Sequence, residues 1–415
     1  MANRVGSPRN LVAALALGWL ALLGGCRTRL LDSPDDAGPV MSDDCPTHAP
    51  DAGAARCPRC VLDFLDVLPA ATGASFVVGD FNGDGTPDFV ASTGNDVSIL
   101  IGAGDGSFRS SSLGVNGEAV AAADLDGDGK LDLVVSASQL VTDVDAGTFT
   151  FHAALDVLRG RGDGTFDAAP SFPIDTEVLA MVAADLDGDG RRDLASVERR
   201  PGDSGTALVL RRGTGGGAFA PAEPVPLPRD DAAALAAADF DGDCRTDLAL
   251  AFGAGYVGVV VNRADRAFQL ANVLPVRNGP FALATGDLDR DGHLDLVVGD
   301  TAFPDNARVE LLLGNGDGTL QPASSRQSGF QSTSVAIADM NGDGNLDVVL
   351  GTAPANGTGP DRSLWMLLGD GHGELGDPIA FGPYRAISQV AVADFNRDGR
   401  PDVLFTGHVL LNATR

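Results

Sequence analysis

Short apolar runs recur along the chain, and their length fits strands better than helices. Val120-Ala121-Ala122-Ala123, Leu235-Ala236-Ala237-Ala238 and Val390-Ala391-Val392-Ala393 each lead into a polar stretch of nine residues. A second apolar run follows such a stretch, as in Leu133-Val134-Val135, Leu296-Val297-Val298 and Val348-Val349-Leu350. Runs this short, bounded by Gly and Asp, predict two strands joined by a polar loop. A third strand ends in a glycine-rich turn: Val97 to Ile101 before Gly102 to Phe108, Val309 to Leu313 before Gly314 to Leu320, Leu364 to Leu368 before Gly369 to Leu375. A fourth, less regular strand leads back to the next polar stretch. No long amphipathic helix pattern interrupts the series.

The polar stretch itself repeats seven times, beginning at Asp80, Asp124, Asp185, Asp239, Asp287, Asp339 and Asp394, in steps of 44, 61, 54, 48, 52 and 55 residues. Periods of this size indicate a repeat architecture. Seven four-stranded units predict an all-β, seven-bladed β-propeller of antiparallel blades, in which each sheet packs on its neighbours and free edges stay short. The first strand of each unit, rich in Ala and Gly, belongs innermost, where the sheets converge. After the seventh polar stretch the sequence holds only Val403-Leu404-Phe405 and His408 to Leu411 before Arg415, so the last unit lacks a fourth strand. Val67-Leu68-Pro69 precedes the first loop much as Val273-Leu274-Pro275 precedes the fifth, and residues 62–69 are therefore expected to close the last blade from the N-terminal side.

In every nine-residue loop an oxygen-bearing side chain stands at positions 1, 3, 5 and 9. The candidate metal ligands are Asp80, Asn82, Asp84 and Asp88; Asp124, Asp126, Asp128 and Asp132; Asp185, Asp187, Asp189 and Asp193; Asp239, Asp241, Asp243 and Asp247; Asp287, Asp289, Asp291 and Asp295; Asp339, Asn341, Asp343 and Asp347; and Asp394, Asn396, Asp398 and Asp402. Carboxylates crowded this closely repel one another unless a cation sits among them, and hard oxygen donors at flexible spacing suit Ca²⁺, up to seven ions in all. Position 6 is Gly in six copies, where the loop turns sharply; the fourth copy has Cys244 there, and its Cβ disfavours a left-handed turn.

Composition changes this picture in two places. The formal charge is -28, and 25 of the 57 acidic residues are loop-ligand Asp, so much of the acidity is ligand charge. A nucleic-acid partner is excluded, since phosphate binding wants the opposite sign. At the N-terminus, residues 1–25 read as a secretory signal, with Arg4 and Arg9 ahead of an apolar core from Leu11 to Leu23 that is too short to span a bilayer. Leu23-Gly24-Gly25-Cys26 resembles the lipobox of bacterial lipoproteins, which implies lipidation of Cys26 and a membrane attachment through that lipid only. Arg27, in place of the Asp of inner-membrane retention signals, favours the outer membrane or cell surface. Residues 26–60 are rich in Asp, Pro, Ala and Gly and read as a disordered tether to a propeller over 61–415. Cys45, Cys57, Cys60 and Cys244 allow three complete disulfide pairings in an exported chain, including one from Cys244 to the tether. Cys57-Pro58-Arg59-Cys60 has redox or zinc spacing, but no second such pair accompanies it.

The loops, the turn Leu312-Leu313-Gly314-Asn315-Gly316-Asp317-Gly318-Thr319 and the unit count resemble the FG-GAP/VCBS repeat family, which includes the propellers of integrin α subunits. The resemblance spans residues 61–415. It implies Ca²⁺ bound on one face by side chains at loop positions 1, 3, 5 and 9 and the carbonyl at position 7, here for example Lys130 or His293, with partners on the opposite face. On that face the longest connections are expected at 137–154, 198–206, 300–308 and 351–363. Three functions fit: a lipid-anchored binding or adhesion scaffold of the bacterial envelope, a polysaccharide-binding lectin or lyase or hydrolase, and a structural subunit of an envelope complex. The first leads, because Trp365, Tyr256 and Tyr384 are few for sugar platforms and no catalytic constellation is identifiable. The partner is expected to be a protein or polysaccharide. Arg161-Gly162-Asp163 spells an adhesion tripeptide but occupies a glycine-rich turn. Asn356 and Asn412 head sequons that carry little meaning in a bacterial lipoprotein, and the five histidines fall in different units.

Overall fold

The apolar runs are strands, and the strands group by four. The structure, a computed structural model, describes residues 64–67, 75–143, 148–200, 203, 205–263, 267–277, 279–300, 308–327, 331–353, 364–381, 387, 389–405 and 408–413. The expected signal segment and tether, with Cys26, Cys45, Cys57 and Cys60, lie outside these, as do 301–307 and 354–363.

Blade 1 consists of Ser75–Gly79, Asp88–Ser92, Val97–Gly102 and Phe108–Ser112. Blade 2 is Ala119–Ala123, Asp132–Asp143, Thr148–Gly160 and Phe166–Ile174; blade 3 is Glu177–Ala184, Asp193–Arg199, Thr206–Arg211 and Glu223–Val225. Blade 4 is Ala232–Ala238, Asp247–Phe252, Tyr256–Asn262 and Phe268–Pro275; blade 5 is Pro280–Gly286, Asp295–Asp300, Arg308–Leu312 and Ser324–Gln327. Blade 6 is Gln331–Ala338, Asp347–Ala353, Leu364–Leu367 and Ile379–Phe381. Within each blade neighbouring strands run antiparallel in chain order. Blade 7 differs: Val390–Ala393, Asp402–Phe405 and His408–Asn412 come from the C-terminal end, and Phe64–Val67 is the outermost strand, with Phe64 opposite Asn412 and Val67 opposite Val409.

The core is not in one place. Each of the seven gaps between neighbouring blades holds its own buried apolar cluster. This explains the second strands: Asp247–Phe252 is buried at every residue because both of its faces meet another blade, so it reads as a continuous apolar run without alternation. The gap between blades 7 and 1 is filled differently from the others. There Phe76, Phe89, Phe108 and Phe395 form an edge-to-face series with ring centroids 6.3, 5.1 and 5.6 Å apart. Large aromatic rings add geometric preference to area burial at the seam where the two ends of the chain meet.

One expected connection is not a loop. In blade 2 the second and third strands continue as a hairpin, with pairs running from Leu133–Leu158 out to Asp143–Thr148. The first strand reaches only Ser136 and the outer strand only Ala153. Five cross-strand pairs, from Gln139–His152 to Asp143–Thr148, therefore stand beyond the blade with no third strand on either side among the described residues. The β-branched and aromatic residues of Leu140-Val141-Thr142 and Thr148-Phe149-Thr150-Phe151 favour the extended ladder.

Candidate metal centres

All seven nine-residue loops join the first and second strands of their blades, so all lie at one end of the propeller. Their shape is set by side chains bonding to backbone. The position 1 carboxylate accepts the N–H of position 6: Asp80 from Gly85 at 2.8 Å, Asp124 from Gly129 at 2.9 Å, Asp185 from Gly190 at 2.9 Å, Asp287 from Gly292 at 3.1 Å, Asp339 from Gly344 and Asp394 from Gly399 at 2.8 Å. Position 3 accepts the N–H of position 5, as Asn82 does from Asp84 and Asn341 from Asp343, both at 2.9 Å. Position 5 accepts the N–H of position 7, as Asp128 does from Lys130 at 3.0 Å and Asp291 from His293 at 2.8 Å. The bonds from positions 3 and 5 are Asx turns, and together with the five-residue bond to position 1 they curl the backbone around its own carboxylates.

The Cys244 loop keeps this pattern. Cys244 takes φ 66°, and its N–H donates to Asp239 at 2.8 Å as the glycines do. Cys244 is exposed, and the cysteines with which it is expected to pair lie outside the described residues. Position 4 is left-handed as well, which the glycine pattern only partly shows. Arg290 and Arg397 stand there at φ 64° and 61° where the other five loops have Gly. Together with Cys244 they are the non-glycine residues of positive φ among the described residues.

The position 9 Asp is buried in every loop. One of its oxygens accepts the N–H of position 2, at 2.9 Å for Phe81 to Asp88 and Leu125 to Asp132, and 2.7 Å for Leu288 to Asp295. The other accepts the N–H at the end of the third strand, at 2.8 Å for Gly102 and 2.7 Å for Gly160, Gly213, Asn262 and Asn412. Two N–H bonds leave a carboxylate further lone pairs for a cation. Burial pushes Asp88, Asp132, Asp193 and Asp247 up to about 6 and Asp295, Asp347 and Asp402 up to about 7, against the lowering pull of both N–H bonds and with help from the other loop carboxylates.

The third strand must end close to the loop. A Cβ on Gly160 would stand 2.0 Å from the Leu131 carbonyl oxygen, and one on Gly369 would stand 2.1 Å from that of Leu346. Blades 4 and 7 carry Asn there instead. Asn262 Nδ2 donates to the Thr246 carbonyl at 3.1 Å and to the Leu186 carbonyl of blade 3 at 2.6 Å; Asn412 Nδ2 donates to Pro401 at 3.2 Å and to Met340 of blade 6 at 2.7 Å. Other blades send a backbone amide of the glycine-rich turn to the same place: Gly164 to the Phe81 carbonyl at 3.1 Å, Gly217 to Leu125 at 3.3 Å and Gly318 to Phe240 at 3.2 Å. Position 2 is thus the anchor of each loop, its N–H held by its own Asp and its side chain buried, and in the loops of blades 1, 2, 3, 4 and 6 its carbonyl is held by the next blade. The signal was present in sequence as Phe81, Leu125, Leu186, Phe240, Leu288, Met340 and Phe395, all large and apolar.

Converging carboxylates give the cation-binding geometry. Ligand oxygens lie within 4.8 Å of one another in the groups Asp124, Asp126 and Asp132; Asp185, Asp187 and Asp193; Asp239, Asp241 and Asp247; and Asp287, Asp289 and Asp291. In the loops of blades 1, 6 and 7, Asn82, Asn341 and Asn396 supply an amide oxygen at position 3. An all-oxygen set on a curled loop fits a hard divalent cation and offers nothing to a soft metal.

Arg161-Gly162-Asp163 serves the turn. Arg161 pairs with Asp167 of the adjoining strand, and Asp163 accepts the Thr165 N–H at 3.0 Å, as Asp317 does from Thr319 at 2.9 Å in blade 5. His293 is exposed on its loop.

Comparison with known proteins finds the same repeat and the same fold. A model of the FG-GAP-like repeat matches residues 71–135, 144–196, 185–250, 239–298, 300–350 and 355–405. Integrin alpha-PS2 of Drosophila melanogaster is 31% identical over 163 residues, which are 34% of this chain and 12% of that protein. In fold, the chain is similar to BBS1N from a crystal structure of its complex with ARL6DN, with a TM-score of 0.56 and 12% identity over 85% of this chain and 98% of that one.

Proposed function

Because the chain belongs to the FG-GAP-like repeat family, we propose that it is a binding scaffold of the adhesion type, stabilised by Ca²⁺ in its seven loops and engaging a protein or polysaccharide partner on the opposite face. The observation that carries the partner face is the hairpin of blade 2. Its five unsupported pairs extend about 17 Å past the blade at the end away from the loops, and among the described residues no strand pairs with either of its edges. Exposed strand edges are templates for an extended partner segment, which gains main-chain hydrogen bonds along them. On the same face of blade 5, a β-bulge between Pro280 and Ala282 ejects Phe281, which is 54% exposed.

The N-terminal residues complete the reading. A signal over 1–25, a lipidated Cys26 and a tether over 26–60 would present the propeller at the outer surface of a bacterial envelope. The likeness to an integrin α subunit supports a surface location.

Crosslinking followed by capture from envelopes, using the full chain, tests the proposal. Replacing residues 139–152 by a two-residue turn is expected to abolish capture of the partner, and Phe281→Ala to weaken it, while Lys130→Gln on the loop face leaves capture intact. Capture that survives the hairpin deletion unchanged would remove the partner face from blade 2.

A further inference from the structure

The seven loops share one carboxylate pattern but differ in the cations built around it. In blade 2, Lys130 Nζ lies 2.8 Å from Asp128 and Arg159 Nε 3.9 Å from Asp126. In blade 3, Arg191 pairs with Asp189, and Arg212 Nη1 lies 2.9 Å from Asp187. In blade 4, Arg245 pairs with Asp243, and Arg263 Nη1 lies 3.6 Å from Asp241. Each of these loops therefore carries a basic residue at position 7, paired with position 5, and an arginine just past or near the end of the third strand, paired with position 3.

The remaining loops are poorer in cations. Blade 7 has Arg400 at 3.6 Å from Asp398, and its Arg397 reaches across the seam to the carbonyl of Asp84 and, at 3.7 Å, to the carboxylate of the same residue in blade 1. In blade 5 position 7 is His293 and in blade 6 it is Asn345. No ion pair to Asp287, Asp289, Asp291, Asp339 or Asp343 occurs among the described residues. The blade 5 loop is the extreme, with four Asp ligands, of which Asp287, Asp289 and Asp291 converge; its own Arg290, at position 4, donates to Asn345 Oδ1 of the blade 6 loop at 3.3 Å and makes no ion pair with these carboxylates.

We propose, resting on the reading of the loops as Ca²⁺ sites, that they form a graded series. The loops of blades 5 and 6 take divalent cation first, and the resident arginines and lysine of blades 2, 3 and 4 hold those loops together without metal and weaken their affinity for it. The physical ground is competition for the same oxygens. A guanidinium or ammonium group on the carboxylates at positions 3 and 5 neutralises their repulsion before any ion arrives, and its charge opposes the ion that displaces it. Affinity in oxygen-ligand sites follows the net charge of the ligand set, and the four Asp of blade 5 have no cation paired to them among the described residues, since Arg290 donates to Asn345 instead. The series also divides the propeller: in blades 2 to 4 two paired cations offset half of the four carboxylate charges of each loop, whereas the loops of blades 5 and 6 have only Arg290 between them, paired with none of their carboxylates.

Amide hydrogen exchange of the full chain across a titration of free Ca²⁺ resolves the loops individually. Peptides covering 287–295 and 339–347 are expected to gain protection at a free Ca²⁺ about tenfold lower than peptides covering 124–132, 185–193 and 239–247. Arg191→Gln with Arg212→Gln should move the blade 3 loop toward the lower concentration, and Lys130→Gln with Arg159→Gln should do the same for blade 2; all four side chains are at least a quarter exposed, and their loss leaves the cores untouched. His293→Arg should move the blade 5 loop the opposite way. Protection of all loops at one concentration, or a blade 3 midpoint unmoved by the double substitution, would overturn the grading while leaving the Ca²⁺ sites standing. No protection of any loop at millimolar Ca²⁺ would overturn the sites themselves, and the grading with them.

Discussion

The side chain of Gln389 closes the ring onto the backbone of Phe76: the Phe76 N–H donates to Gln389 Oε1 at 2.7 Å, and Gln389 Nε2 donates to the Phe76 carbonyl at 3.2 Å. The two residues are 313 apart in sequence, on the first strand of blade 1 and just before the first strand of blade 7. One amide thus stands in for a pair of ladder hydrogen bonds at the seam. Gln389→Ala would leave a buried donor and a buried acceptor unmet, each costing about 1–3 kcal/mol. Urea unfolding should show a loss of about 2 kcal/mol or more, and an unchanged midpoint would mean that the aromatic series of Phe76, Phe89, Phe108 and Phe395 holds the seam without it.

The outer strand of blade 7 offers a second handle on the same seam. Phe64–Val67 pairs with His408–Asn412 along four residues. Removing residues through 69 would expose the edge of His408–Asn412, whereas removing only the stretch up to residue 60 leaves Phe64–Val67 in place. The longer truncation should therefore melt well below the shorter one; equal melting temperatures for the two would show that the N-terminal strand contributes nothing to closure.

Sequence reasoning reached the blades because both of their periodic signals are local. The short apolar runs and the nine-residue loops each fit within a dozen residues, and their number sets the number of sheets. It did not reach features whose cause lies elsewhere in the chain. Asn262 reads as an ordinary polar residue after a strand, since its acceptor on Leu186 is 76 residues away. Arg290 and Arg397 give no hint of a left-handed backbone, because the hydrogen bonds of the loop, and not their own preference, impose it. The hairpin at 139–152 looked like a loop because no blade surrounds it, although its β-branched and aromatic residues already favoured extension.

The position 9 carboxyls couple stability to pH. Their folded values of about 6 for Asp132 and about 7 for Asp347 lie above the ordinary 3.8 because of burial, so the fold holds these protons more tightly than the unfolded chain does. Without divalent cation, the resulting stability is fully present below about pH 4 and is lost as pH rises through about 6 to 7. A cation reverses the slope, since it binds the ionised form. In chelator the melting temperature should fall between about pH 5 and pH 7.5, and in millimolar Ca²⁺ it should rise over the same interval. At neutral pH, a site of about 10⁻⁴ M affinity in millimolar Ca²⁺ gains roughly 1.4 kcal/mol, so seven approach 10 kcal/mol. Parallel pH curves with and without Ca²⁺ would show that the carboxyls and the ion are not linked.

Cys244 holds a left-handed conformation that its six counterparts reach as glycine. The strain of a Cβ there is about 1–2 kcal/mol, and the extra freedom glycine gives the unfolded chain returns about 0.4–1 kcal/mol of it. Cys244→Gly should therefore stabilise the protein by about 0.5–1 kcal/mol in denaturant titration, and the N–H bond to Asp239 survives the change. A destabilised variant would mean that the thiol itself is held, as a disulfide to the N-terminal cysteines would hold it.

Asn262 and Asn412 carry the anchoring of a loop on one side chain each, where other blades use the backbone of a glycine-rich turn. Asn262→Gly restores the residue found in blades 1, 2, 3, 5 and 6 but not the turn that follows it, because Arg263 leads into a different sequence. The Leu186 carbonyl then loses its bond to blade 4, and so the loop of blade 3 loses its tie to the next blade. The variant is expected to cost about 1–3 kcal/mol of stability, the penalty of an unmet buried acceptor. Its hydrogen-exchange effect should concentrate on residues 185–193, which belong to the neighbouring blade, and less on the strand that carries the substitution. Loss of protection confined to blade 4 would instead place the role of Asn262 in its 3.1 Å bond to Thr246, within its own loop.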